Sequence, residues 1–338
     1  MKVCVIGTGR MGRRHIDAAR GLGFDVVGIH DPFQDAMNIA VKDHGMKPEQ
    51  CFANEVEMLT KLRPEGVVIS STAPGHAPSV LAAAKAGAKY ILCEKPLAQS
   101  LAQCDEMIRA CDSAGAVLGV NHQMRFMEQY TLVKEMVNSP EFGGLQSINV
   151  TASNFGLAMN GCHYFEMFRF MTDENISDIQ FWADQEKVPN PRGAQFVDHS
   201  GQLRARAKSG KHMYMELGGS QGHGVYVIYG CRFGQIFVDE LTGFMRATYR
   251  KPEFRELPTT RYGMPAETIL RDIAPADVIG PTQALWKAMI EKKNYPDGQA
   301  GRHALAALVA ANVSLEENGK IISLDSIKAQ EGRIFQWA

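Results

Sequence analysis

Gly7, Gly9 and Gly12 stand in the spacing Gly-x-Gly-x-x-Gly directly after the apolar run Val3 to Ile6, and they open an amphipathic stretch. Each has a separate task in holding a dinucleotide. Gly7 permits the tight strand-to-helix turn, Gly9 lets backbone amides approach a pyrophosphate, and Gly12 lets the helix pack closely on the sheet. With Arg10 and Met11 between them, they set the N-terminus of the helix, with its partial positive charge, against the phosphates. Asp31 follows the second apolar run, Asp25 to His30, nineteen residues after Gly12. A carboxylate there accepts hydrogen bonds from a ribose 2′-hydroxyl and repels a 2′-phosphate, which predicts NAD in preference to NADP. Pro32 and Phe33 supply no cation for that extra phosphate, whereas Arg10 in the glycine loop is one that could reach it. The bland alternative for Asp31 is a solvated turn residue before proline.

Two further residues are of a catalytic type. Lys95 follows the apolar run Tyr90 to Cys93 and leaves the carboxyl end of a strand, where open α/β sheets bind their ligands; its ammonium can polarise a substrate oxygen. His163 stands near the start of a helix whose Tyr164, Met167, Phe168 and Met171 form an apolar stripe. It is adjacent to that stripe rather than on it, and a histidine with an ordinary near-neutral pKa suits removal of a hydroxyl proton during hydride transfer. The alternatives are a surface lysine after a strand and a structural helix histidine. Ser71, Thr72 and His76 lie at another strand end, placed to touch the cofactor; capping of the next helix is the equal alternative for Ser71 and Thr72.

These residues need a frame, and up to about residue 121 the chain alternates apolar strands with helical patterns. The strands are Val3 to Ile6, Val26 to Ile29, Val67 to Ser70, Tyr90 to Cys93 and Val117 to Val120. That rhythm predicts a doubly wound parallel sheet of the Rossmann type. Helical runs around Val80 to Ala86 and Leu101 to Ala114 stop at Gly87 and Gly115. Beyond 121 come helices near Phe126 to Val137 and Asn160 to Met171, then successive strands: Ser147 to Ser153, Ile176 to Ala183, Lys211 to Leu217, Gly224 to Tyr229, Gln235 to Asp239 and Met245 to Tyr249. Strands without crossover helices predict a large, open, mostly antiparallel sheet in an α+β domain. The five prolines between Lys251 and Pro281 predict an irregular arm or lid. Helices near Thr282 to Lys292 and Arg302 to Glu317 and a strand at Lys320 to Leu324 close the chain. Two domains are therefore expected: an NAD-binding unit over 1–121, and a substrate-binding and oligomerisation unit over 122–338.

Charge is nearly balanced, with 36 basic and 37 acidic residues, so no basic surface points to nucleic acid or an anionic membrane. An apolar strand starting at Lys2 leaves no room for a secretory signal, and no apolar run has spanning length, which together predict a cytoplasmic protein. The seven cysteines show no metal-ligand spacing and are expected to be reduced and mostly buried.

Taken together, these landmarks resemble the Gfo/Idh/MocA family of NAD(P)-dependent oxidoreductases. The resembling pieces are the glycine turn, Val68 to His76, Ala86 to Leu97 with Glu94-Lys95-Pro96 as the most specific part, Gly156 to Phe168, and Ser314 to Leu324. The resemblance implies a dehydrogenase or reductase acting on a secondary alcohol or ketone of a sugar, nucleotide-sugar or cyclitol. It implies a cis peptide between Lys95 and Pro96 that aims Lys95 into the cleft, with Glu94 beside the cofactor. It also implies Asn121 and His122 beside the nicotinamide, and Arg125, Asn160 and His163 toward the substrate, although a domain-docking salt bridge is the equal alternative for Arg125. Many members carry Asp four residues before the histidine; Met159 stands there here, with Asn160 beside it. Lys95 and His163 are expected to suffice, with Asn160 orienting the substrate. The competing class is a non-catalytic NAD-dependent sensor, since the family also includes a yeast galactose-pathway transcriptional repressor. Family members often pair their open sheets, and Val225 to Tyr229 is apolar on both faces, so a homodimer or homotetramer is expected.

Overall fold

The computed structural model describes all of the 338 residues except 154, 186–188, 220–221, 223, 259–262 and 338. The first sheet is built from β1 (Lys2–Ile6), β2 (Asp25–His30), β3 (Cys51–Phe52), β4 (Gly66–Ile69), β5 (Tyr90–Cys93) and β6 (Val117–Val120). They lie in the order β3-β2-β1-β4-β5-β6, all parallel. Helices α1 (Arg10–Gly21), α2 (Gln34–His44), α3 (Glu55–Leu62), α4 (Ala73–Lys85) and α5 (Leu101–Ala114) make the crossovers. The strand order reverses between β1 and β4, which opens a crevice at their carboxyl ends. β1, β4 and β6 are buried along almost their whole length, as expected of strands covered on both faces. The two-residue β3 was not foreseen, being too short to show any alternation.

After β6 the chain passes through α6 (Glu128–Val137) and β7 (Leu145–Ser153), then a π-helical turn, Leu157–Gly161, running into α7 (Cys162–Thr172). Next come β8 (Ile176–Ala183), β9 (Gly201–Ala207), β10 (His212–Gly218), β11 (Val225–Cys231), β12 (Gly234–Asp239), β13 (Phe244–Arg250) and β14 (Ala266–Asp272). Helices α8 (Ile279–Glu291) and α9 (Gly298–Glu316) and the short β15 (Ile322–Ser323) complete the chain. The second sheet runs β14-β13-β12-β11-β7-β10-β9-β8-β15, antiparallel throughout except for the β7–β10 pair. The fold is therefore the expected one, a Rossmann sheet followed by an open, mostly antiparallel sheet.

Two further strands escaped the sequence reading. β9, Gly-Gln-Leu-Arg-Ala-Arg-Ala, alternates buried and exposed at every position. Its side chains favour helix, however, so pairing with β8 and β10 overrides local preference. β14 lies inside the segment expected to be an irregular arm. It is an edge strand paired on β13, exposed along its whole length, and shows none of the burial alternation that marks a strand. Residues 259–262 of that segment lie outside the described residues.

One face of the second sheet packs its Ile148, Val150, Met213, Met215, Val227 and Val238 against α7 and α9. On the opposite face Trp182, Tyr214, Tyr226 and Ile228 remain exposed. Helix α8 returns to the first sheet, where Leu285, Trp286 and Met289 join the core formed by Val3, Val5, Ile16 and Leu92. Trp286 is fully buried, and truncating it to Ala costs about 3 to 5 kcal/mol. All seven cysteines are free, with Cys51 and Cys231 half-buried and the rest buried. Among the described residues, no helix is long and apolar enough to cross a membrane.

Candidate active site

The turn after β1 has the geometry that a bound pyrophosphate requires. Gly7 has φ +88°, and a Cβ there would sit 2.4 Å from the Ser71 nitrogen. A Cβ on Gly12 would sit 1.9 Å from the Gly7 carbonyl oxygen, so α1 can approach β1 only with glycine at that position. Around Gly9, the N-cap of α1, an added Cβ would meet nothing within 4 Å. No side chain caps this helix and its first turn carries no acid, which leaves its amides free to receive phosphate. Arg10 is exposed and Met11 half-buried on that first turn. Ser70 Oγ donates to the carbonyls of Gly7 at 2.7 Å and Ile6 at 3.2 Å, fastening the turn to the end of β4.

Asp31 ends β2, buried, with its carboxylate beside the loop. Its Oδ2 accepts from the Thr8 backbone N–H at 2.6 Å and from Thr8 Oγ1 at 3.3 Å, and its Oδ1 accepts from the Phe33 N–H at 2.9 Å. The Phe33 contact closes the turn, with Asp31 buried rather than solvated, and the Thr8 contacts couple the carboxylate to the glycine loop. Ser71 and Thr72 are half-buried, and neither side chain caps α4. His76 is buried, with Nδ1 3.0 Å from the Pro96 carbonyl and Nε2 3.0 Å from the Ser71 carbonyl. Burial holds its pKa below the ordinary value despite those carbonyls. The structure thus puts this ring between two strand-end loops as a backbone staple.

The peptide between Lys95 and Pro96 is cis. Glu94, buried, accepts from Asn121 Nδ2 at 2.8 Å and lies 2.9 Å from His15 Nε2, both at Oε1, while the Lys95 N–H reaches its Oε2 at 3.2 Å. Burial alone would raise the pKa of this carboxyl, but His15, Lys95 and Asn121 together hold it well below the usual range. A fixed negative charge therefore lies beneath Lys95. The Lys95 Nζ donates to the Met159 carbonyl, and the residue is only 7% exposed.

The facing wall comes from the second sheet's helices. His163, on the first turn of α7, stands edge to face with His122, ring centroids 5.4 Å apart. Burial first, then the Lys95 charge, pushes the pKa of His163 well down. The same two causes, with Arg125 added, bring His122 to about 3. Both rings are therefore neutral near pH 7, a stronger departure than the near-neutral histidine expected from sequence. Asn160 lies half-buried in the π-helical turn rather than in α7 itself. Arg125 pairs with Glu166 of α7, donates to the Asn294 carbonyl at 3.3 Å and stacks on Phe170, centroid 5.0 Å away. Its guanidinium is thus tied to α7 and the α8–α9 connection, a salt bridge within 122–338 rather than one between the two expected domains.

Asn121 Oδ1, His122 Nδ1 and His163 Nδ1 are among the buried polar atoms here that lack a hydrogen-bond partner in the protein. Orphaned atoms of this kind are expected where a ligand completes the site. With the open space at Gly9, they fit a nicotinamide dinucleotide laid from the α1 terminus across the ends of β4, β5 and β6. Two residues were missed from sequence. His15 lies on the buried face of α1, and a polar residue on that apolar face was its available signal. Asp198 is buried ahead of β9, where its carboxylate receives the Ala158 and Met159 N–H groups at 2.8 Å each; it gave no periodic signal.

Residues 1–122 match the model of an oxidoreductase family with an NAD-binding Rossmann fold, Gfo/Idh/MocA. The inositol 2-dehydrogenase of Rhodococcus erythropolis is 25% identical over 97% of this chain and 96% of its own. The myo-inositol 2-dehydrogenase of Thermotoga maritima is 25% identical over 53% of this chain, and the match spans little more than half of that enzyme, 57%. Among solved structures, an Agrobacterium radiobacter oxidoreductase in complex with NAD+, L-tartaric acid and magnesium superposes with a TM-score of 0.80 at 15% identity. That match covers 97% of this chain and 99% of the other, and it speaks to the fold. With the glycine turn, the Glu94-Lys95-Pro96 strand end and the His163 helix arranged on this fold, residues 1–122 match the NAD-binding Rossmann domain of the Gfo/Idh/MocA oxidoreductases, and the whole chain is similar to an inositol 2-dehydrogenase.

Proposed function

We propose that the chain is an NAD-dependent dehydrogenase or reductase acting at a secondary alcohol or ketone of a sugar, nucleotide-sugar or cyclitol. The observation that carries this reading is the convergence of Lys95 and His163, from two different domains, at the end of β5 beside the orphaned Asn121 oxygen. Bound nicotinamide supplies the hydride acceptor. Gly7, Gly9 and the α1 terminus hold the phosphates, and Asp31 receives a ribose hydroxyl, which favours NAD over NADP. In the oxidising direction, the neutral His163 ring accepts the hydroxyl proton. Lys95, with two of its three donors not used on Met159, stabilises negative charge developing on the same oxygen. Inositol dehydrogenases among the relatives make cyclitols the first substrates to try. The exposed Trp182, Tyr214, Tyr226 and Ile228 support assembly through the outer face of the second sheet.

The test is NADH formation from myo-inositol and a panel of sugars. Lys95→Ala and His163→Ala should each lower turnover by about a hundredfold or more while NAD binding persists, in the range of positioned acid-base and electrostatic groups. Full turnover in His163→Ala would remove it as the proton acceptor. A second reading, a nucleotide sensor without catalysis, is favoured by Met159 at the position of the family's Asp. It predicts NAD binding with no turnover on any polyol.

A further inference from the structure

Asp198, a buried carboxylate ahead of β9, holds the backbone at Met159. Asp198 Oδ2 accepts from the Met159 N–H and Oδ1 from the Ala158 N–H, both at 2.8 Å, while the next carbonyl, His199 O, takes the Leu157 N–H at 2.9 Å. On the other side of the Met159 Cα, the Met159 carbonyl receives the Lys95 ammonium. Gly156 leaves the room: a Cβ there would sit 2.3 Å from the Asp198 Cγ and 2.5 and 2.6 Å from its oxygens. Its φ of −97° suits any residue, so space alone calls for glycine. We infer that Asp198 is the positioning residue for Lys95, its buried carboxylate fixing the backbone of Met159, whose carbonyl holds the ammonium in place. This role rests on the reading of Lys95 as a catalytic group.

Asparagine at 198 keeps one acceptor for the turn, since Asn caps helix termini about as well as Asp, but it carries no charge and its amide N–H₂ faces one of the two donors. Asp198→Asn should therefore fold and bind NAD as the wild type does. Its kcat on myo-inositol with NAD should fall about ten- to a hundredfold with little change in KM, the scale expected for a small misplacement of a catalytic group. Asp198→Ala, which removes both acceptors of the Ala158 and Met159 N–H groups, should lose more kcat than Asp198→Asn and expose Lys95 further. A residue that only capped the π-helical turn would lower stability in both variants without this graded loss of kcat. An independent arm needs no substrate: labelling of Lys95 by an amine reagent at pH 8, read by peptide mass spectrometry, should quicken severalfold in Asp198→Asn. Unchanged labelling, or kcat within twofold of wild type in Asp198→Asn, would each overturn the role. If wild type oxidises no polyol yet labelling quickens as expected, the positioning stands and the catalytic reading of Lys95 is what fails.

Discussion

Glu240, at the turn after β12, is a buried carboxyl whose burden on stability can be measured. Its Oε1 accepts from Tyr130 of α6 and its Oε2 from Tyr164 Oη at 2.9 Å, so it ties the second sheet to the helix that carries His163. Burial raises its pKa from the ordinary 4.5 to about 7, although both tyrosine hydroxyls pull the other way. The folded protein then keeps a proton that the unfolded chain releases between those two values. Stability consequently falls as pH rises from about 4.5 to about 7 and is level above. At about 1.4 kcal/mol per unit, the full difference is about 3 kcal/mol, of which about 2 to 3 kcal/mol develops between pH 5 and pH 8. Glu240→Gln fills the same space with no charge to bury, so its stability relative to wild type should rise by that amount over the same range. Unfolding entropy of about 2.1 cal/mol/K per residue converts this to about 3 to 4 °C in Tm for a chain unfolding as one unit. Calorimetry of both proteins at pH 5, 6, 7 and 8 reads it. Parallel Tm profiles would refute the argument, and a gap that narrows with pH would mean that the tyrosines stabilise the carboxylate more than burial opposes it.

Asp31→Ala should narrow a preference for NAD over NADP measured by titration calorimetry; a wild type that prefers NADP would transfer the ribose-end role to the exposed Arg10. Light scattering at sub-micromolar concentration should find a dimer or tetramer, with Tyr226→Lys and Ile228→Lys shifting it toward monomer. A wild-type monomer would leave the outer face of the second sheet without a neighbour.

Residues that act through the local chain were legible in the sequence, and those that act across it were not. Gly7, Gly12 and Asp31 obey spacings set by one strand-turn-helix unit, and they lie where those spacings place them. Strands β5 and β6 and helix α5 match their expected bounds because apolar runs and a helix-ending Gly115 mark them locally. Strand β9 was hidden because Arg and Ala have helical preferences that neighbouring strands override, and β14 because an exposed edge strand has no buried face to alternate with. Arg125 is held by Glu166 and Asn294, 41 and 169 positions away, and no local pattern could have told docking from substrate binding. His15, Glu94 and Asn121 meet from three separate elements, so their network appears only once the sheet is assembled.

The return of α8 to the first sheet sets a timetable for synthesis. All six strands of that sheet have left the ribosome once Val120 has emerged, but the face formed by Val3, Val5 and Leu92 stays open until Trp286 arrives. At about 5 to 20 residues per second, the wait is roughly 8 to 33 s. Throughout it the nascent nucleotide-binding half presents an apolar groove to chaperones or to other nascent chains, so an early stop anywhere between the two points releases a fragment prone to aggregate rather than a working half.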